Sequence, residues 1–369
     1  DYFRQFISDQ TIGMARINRF DFTTLPINLL YLLYYEYRRN EKESLNFSFF
    51  EYGKNSNGNP DDDRWEMYLE LQEMYAILQR WYNDKELYHY LGFLFFNFKA
   101  QTPFRDIYTQ WKALNSRDKF LKDIQHTIAT RMLDRYLEET EKAAPDYQKC
   151  LKTMTEAISD FRENWYNNDK ELYQILILLD IFRILDSKSI KKLPTDYFTR
   201  KSGQKDGEDK EHILSQTPRK DNGEITTIKT DWERFAQSED FKDIRSQMQE
   251  ILNHSDAELT EQELTQLQNL LNSAGLNSIG NMALLDLRIN RSYGNADYAH
   301  KRTIIFQEYM NQKYVRPHTL AVFMKGDIDA REATGIPLNR WTLEDIKRNT
   351  DKIAKEIGKN FNAWLTQNN

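Results

Sequence analysis

At 369 residues, 40% of them hydrophobic and 29% charged, the chain is long enough for two or three domains and has ample core material. Its single cysteine, Cys150, excludes an internal disulfide framework and a four-cysteine zinc site, and fits a reducing compartment. The net charge of −6 gives no general support for nucleic-acid binding, although a local basic face remains compatible with it.

Only 13 Gly and 8 Pro favour long helices over many turns. Residues 24–200 read mostly as helices. "LPINLLYLLYYEYRR" is apolar on nearly every face, which predicts a deeply buried helix. Its aromatic run from Tyr31 to Tyr37 reads as core rather than as a platform for bases. "NPDDDRWEMYLELQEMYAILQRWY" opens on Pro and a run of acids, as a helix N-terminus does, and then settles into helical periodicity. "NDKELYHYLGFLFFNF" follows with Asn83 or Asp84 as its cap, and His89 within it reads as a buried structural residue. Further helices are predicted near 104–115, 117–142, 145–166 and 168–187. No run of about 18 uninterrupted apolar residues occurs, so no membrane span is expected. There is no signal-peptide pattern either, and the expected location is the cytoplasm.

From Asp186 to Lys210 the chain is polar, aperiodic and contains Pro and Gly, which reads as a connecting region. A short strand-like piece at His212–Ser215 comes next. A polar turn, a helical stretch over Asp231–Leu271 and a second strand near Ile279–Leu285 follow. A basic helix is predicted from Asp297 to about Gln312. The terminal helix has Thr342 as N-cap with Asp345 three residues on, an acidic relative of the capping box. The expected fold class is mainly α, with a short antiparallel β-hairpin. The expected domains are a helical domain over 1–165 and a second domain over 166–369.

The residues that can carry chemistry are Glu211-His212, then Asn281, then Asn290, then Lys301-Arg302. Hydrolysis of a phosphodiester needs a base for water, a divalent cation against the phosphate charge, and a group to orient the base. Histidine titrates near neutrality and suits the base role. Mg²⁺ prefers oxygen ligands, which carboxylates and amides provide. Between Leu287 and Pro317 there are six Lys or Arg against two acids. Arg288, Arg291, Lys301 and Arg302 are therefore candidate phosphate contacts, which position DNA without reading its sequence. The plainer alternatives are a tight turn for Asn281 after Gly280, a helix cap for Asn290, and a solvated helix face for Lys301 and Arg302.

Taken together, "EHILSQ" and "IGNMALLDLRINRSYGN" resemble the HNH nuclease pattern, also called the ββα-metal or His-Me finger. The more specific resemblance is to the C-terminal nuclease domain of GmrSD-type, modification-dependent restriction proteins. Their "EHI" box, "GNL-x-LL" box, following Asn and basic helix read here as "EHI", "GNMALL", Asn290 and "YAHKR". "RWYNDKELYHYLGFL" resembles the helical region that precedes that domain. Ser215 departs from the pattern, since many members carry Pro there. The resemblance implies an α-rich HNH domain over 166–369. It implies His212 as general base, Asn281 as the residue orienting its ring, and Glu211 and Asn290 as ligands of Mg²⁺ or Mn²⁺. The implied activity is a metal-dependent DNA endonuclease or nickase of bacterial defence acting on DNA, modified in some members. The alternative is a non-cleaving DNA-binding or regulatory subunit that keeps the fold. The family's ParB-like, nucleotide-hydrolysing domain has no counterpart in this sequence, which shows no Walker-type phosphate loop, so such a domain or subunit is an expected partner.

Overall fold

The computed structural model describes residues 2–17, 26–39, 60–189, 192–200, 207–215, 217–218, 224–287, 298–325 and 339–367. By its internal contacts the chain forms two compact units. One comprises residues 1–132, 187–198 and 367–369; the other comprises 133–186 and 199–366.

The first unit is helical: α1 (Asp9–Ile17), α2 (Pro26–Arg38), α3 (Pro60–Asn83), α4 (Lys85–Asn97), α5 (Phe104–Leu114) and most of α6 (Arg117–Leu133). Its core is aromatic. Trp81 stacks on Phe120 at 5.6 Å, and Phe6 on Phe95 at 3.9 Å. The α2 helix is less deeply set than its sequence predicts: Leu32 to Glu36 are buried, but Ile27 is half exposed. Asp84 caps α4 by accepting from the Glu86 and Leu87 amides, and Arg117 clamps both Asp84 oxygens at 2.9 Å. His89 is buried as predicted. Its Nδ1 meets the Lys85 carbonyl and its Nε2 accepts from the Leu193 amide, while burial pushes its pKa down to about 4. That ring is a neutral structural link.

The second unit begins with α7 (Tyr147–Ser159) and α8 (Asp169–Asp186). The predicted helix over 117–142 stops at Leu133 and continues as single 3₁₀ turns. The predicted helix over 145–166 stops at Ser159, because Trp165 is pulled inward and its amide bonds the Asn277 carbonyl at 3.0 Å. Strand β1 (Glu208–His212) pairs antiparallel with β2 (Met282–Asp286), with His212 opposite Met282 and Glu208 opposite Asp286. The chain between them folds as α9 (Lys229–Ala236), α10 (Arg245–Asn253) and α11 (Glu261–Ser273) rather than as one helical stretch. The breaks have local causes. Arg245 binds the Ala236, Gln237 and Ser238 carbonyls at the end of α9. A Thr260/Glu263 capping box starts α11.

After the hairpin come α12 (Tyr298–Met310), α13 (Pro317–Met324) and α14 (Leu343–Thr366). The Thr342/Asp345 cap forms as predicted, with the Asp345 amide on Thr342 Oγ1 and the Thr342 amide on Asp345 Oδ2. Trp232, Met248, Leu267 and Leu271 of the inserted helices share one core with Leu285, Ile305, Phe323 and Ile346. The architecture is mainly α, with one two-stranded antiparallel sheet among the described residues.

Candidate active site

Strand β1 reads EDKEH, with no apolar residue, while β2 reads MALLD and is almost wholly buried. A strand so polar, buried at both ends and half-buried between, needs a partner for each side chain that leaves water. Each has one. Glu208 takes both forks of Arg316 at 2.7 Å. Asp209 meets Arg200, and Lys210 meets Asp169 and the Tyr166 carbonyl. Glu211 pairs with Lys301, and His212 with Asn277.

His212 sits at the end of β1 and is 7% exposed. Its Nε2 lies 2.9 Å from Asn277 Oδ1. The Asn277 amide group is committed in the other direction, donating from Nδ2 to Asn272 Oδ1 at 2.6 Å. With the amides so placed, Asn277 Oδ1 accepts from a ring protonated on Nε2, which leaves Nδ1 as the ring's acceptor nitrogen. Tyr166 stacks on the imidazole with centroids 4.7 Å apart and planes 18° apart. The Lys210 ammonium lies 4.1 Å from the Tyr166 ring centre.

Asn281 is fully buried, but its side chain does not hold the imidazole as the sequence reading expects. It completes the ladder where β1 ends. Oδ1 accepts from the Leu214 amide at 2.8 Å, Nδ2 donates to the Leu214 and Leu276 carbonyls, and its own carbonyl accepts from the Ile213 amide. Residues 213 and 214 therefore leave the strand that the sequence places at His212–Ser215 and bond to Asn281 instead. The ring partner, Asn277, escaped the sequence reading. Its one signal was position, four residues before Asn281 in the polar "NSIGN" turn.

Gly280 lets this turn lie against α14. A Cβ there would stand 2.3 Å from the Ile346 carbonyl and 2.3 Å from Thr350 Oγ1, and Asn349 Nδ2 donates to the Gly280 carbonyl at 2.8 Å. Main-chain atoms of a packed helix cannot yield cheaply. Gly280→Ala should cost about 3 kcal/mol of stability, at the upper end of overpacking penalties. Urea unfolding measures it, and a change near zero would mean that α14 does not press on the turn.

Lys301 requires a correction. It is 0% exposed, donating to Glu211 Oε1 at 2.8 Å and to the His212 carbonyl at 2.6 Å, so it cannot rest on a DNA phosphate. The sequence carried the signal: Tyr298, Lys301 and Ile305 follow at helical spacing, and all three are buried on one stripe of α12. Arg302, one position round the helix, is half-buried. Its Nε donates to the Phe323 carbonyl, and its guanidinium lies over Phe306. Arg288, Asn290 and Arg291 lie outside the described residues.

Behind the hairpin, Arg316 joins Glu208 to Asp180 at 2.8 Å, and the His318 amide donates to Asp180 at 2.7 Å, with all three charged groups at most 2% exposed. Burial works against charge on the guanidinium, but Glu208 and Asp180 outweigh it and hold the Arg316 pKa above its usual value. Burial pushes the Asp180 carboxyl up.

Among the described residues no three His, Cys, Asp or Glu side chains stand together as a metal site. The donors around Glu211 are oxygens, the type that a hard cation takes. A carboxylate oxygen and a main-chain carbonyl already converge on one positive charge, the Lys301 ammonium.

No curated protein and no solved structure matches the chain. Residues 155–356 match the family described as GmrSD restriction endonucleases, C-terminal domain. The matched span is more than half of the chain and contains the hairpin, Asn277, Lys301 and most of α14. The chain belongs to the GmrSD restriction endonuclease C-terminal domain family.

Proposed function

We propose that the second unit is a metal-dependent DNA nuclease of the HNH type, nicking or cutting DNA within a restriction system. The observation that carries this reading is the environment of His212. Its Nε2 lies in hydrogen-bond contact with Asn277 Oδ1, and Glu211 is its neighbour on a short hairpin that a helix backs. His212 Nδ1 takes a proton from the attacking water as the new O–P bond forms. Asn277 Oδ1 holds the Nε2 proton of the resulting imidazolium, and the departing sugar oxygen takes a proton from solvent water as the old P–O bond breaks. Asn281 fixes the main chain beyond His212, so the ring cannot swing with its backbone. Glu211, with Asn290, would hold Mg²⁺ or Mn²⁺, which supplies charge stabilisation at the phosphate. Arg302 remains our candidate phosphate contact on α12, alongside Arg288 and Arg291. A ParB-like nucleotide-hydrolysing partner would supply control.

One observation favours the second reading, a non-cleaving DNA-binding subunit: Glu211 is already neutralised by Lys301. Nicking of supercoiled plasmid by the purified chain, with and without Mg²⁺ or Mn²⁺, separates the two. Metal-dependent relaxation supports the nuclease. DNA binding with no cleavage of modified or unmodified plasmid supports the subunit.

A further inference from the structure

The buried ammonium of Lys301 lies on an otherwise apolar stripe between Tyr298 and Ile305. An aliphatic side chain would fill that stripe without the cost of desolvating a charge. The carboxylate of Glu211 and the carbonyl of His212 offset that cost. What the charge adds is a fixed positive neighbour for the one carboxylate that the nuclease reading assigns to a cation. Burial of the ammonium, beside a carboxylate only 19% exposed, keeps solvent screening of the pair low.

We propose, resting on that nuclease reading, that Lys301 is a positioning residue that keeps divalent-cation affinity low at Glu211 until DNA is bound. The ammonium holds Oε1 in place and repels a second cation at short range. A DNA phosphate brings its own negative charge and oxygen ligands, so the cation is held well only in the ternary complex. Metal and DNA then tighten each other's binding by the same factor.

Titration of the full chain with Mn²⁺, followed by the paramagnetic resonance of the free ion, reads this without turnover. Glu211→Gln defines the signal from this site. Lys301→Met should raise Mn²⁺ affinity of the DNA-free chain about tenfold, whereas Lys301→Arg, which keeps the charge, should stay near the native value. In a His212→Ala background, which keeps the DNA intact, a short duplex should tighten Mn²⁺ binding about tenfold, and much less once Lys301→Met is added. Unchanged or weaker Mn²⁺ binding by a folded Lys301→Met chain overturns the proposal. If that variant does not fold, the His212→Ala chain decides alone, and Mn²⁺ affinity indifferent to DNA overturns it. A chain that binds no Mn²⁺, with or without DNA, removes the metal-dependent reading and this proposal together. Binding that needs Glu211 but ignores Lys301 removes this proposal only.

Discussion

Replacing His212 by Ala is expected to lower DNA cleavage by about 10²–10⁴-fold while leaving DNA affinity nearly intact, because a general base acts mainly in the chemical step. The geometry makes the expectation specific. The ring is 7% exposed, its Nε2 proton is engaged by Asn277, and the main-chain atoms that follow it are fixed by Asn281. The substitution removes a ring that takes no part in the main-chain ladder between residues 213 and 281, so the fold should survive. Asn277→Leu removes the acceptor and should lower cleavage less, since the base remains but its tautomer is no longer fixed. Single-turnover cleavage and fluorescence anisotropy on the same duplex separate the steps. Equal loss of binding and cleavage in His212→Ala would make the residue a DNA contact or a structural one.

The largest stability effect is expected at Arg316. Arg316→Met removes the buried cation that Glu208 and Asp180 share, and breaking a buried pair from one side costs about 3–5 kcal/mol. The pH dependence has a defined sign. Burial already raises the folded-state pKa of Asp180 above its unfolded value, and removing Arg316 takes away the charge that opposed that rise. A carboxyl with a raised folded pKa stabilises the fold below its unfolded pKa and loses that contribution as pH rises through the folded value. The deficit of the variant should therefore be smallest in acid and grow toward neutrality. Urea midpoints across that range test it, and a pH-independent deficit would mean that the carboxylates find other partners.

The sequence made the helical class legible, because apolar periodicity and caps such as Asp84 and Thr342/Asp345 act over a few residues. It also placed His212 on one strand and the other strand within three residues of its true start at Met282. What it could not show was who satisfies whom at long range. Asn281 and Asn277 are chemically alike and four residues apart, yet only the fold decides which meets the ring. Lys301 looked like a surface cation because its partner, Glu211, lies 90 residues earlier. The helical stretch over Asp231–Leu271 hid its breaks in side-chain bonds from Arg245 and in the Thr260/Glu263 box, although that box could have been read. Local signals survive in one dimension, whereas pairings across 65 or 90 positions do not.

The buttress of Gly280 by α14 also bears on the order in which the protein is made. A chain leaving the ribosome presents His212 first, its Asn277 partner 65 residues later, and Lys301 later still. Asn349, which holds the Gly280 carbonyl, emerges 69 residues after it. Contacts of such separation form late, after the loops that span them have closed. A partly synthesised chain therefore carries His212 with no rigid turn behind it, and on the proposed nuclease reading it would not yet cut DNA.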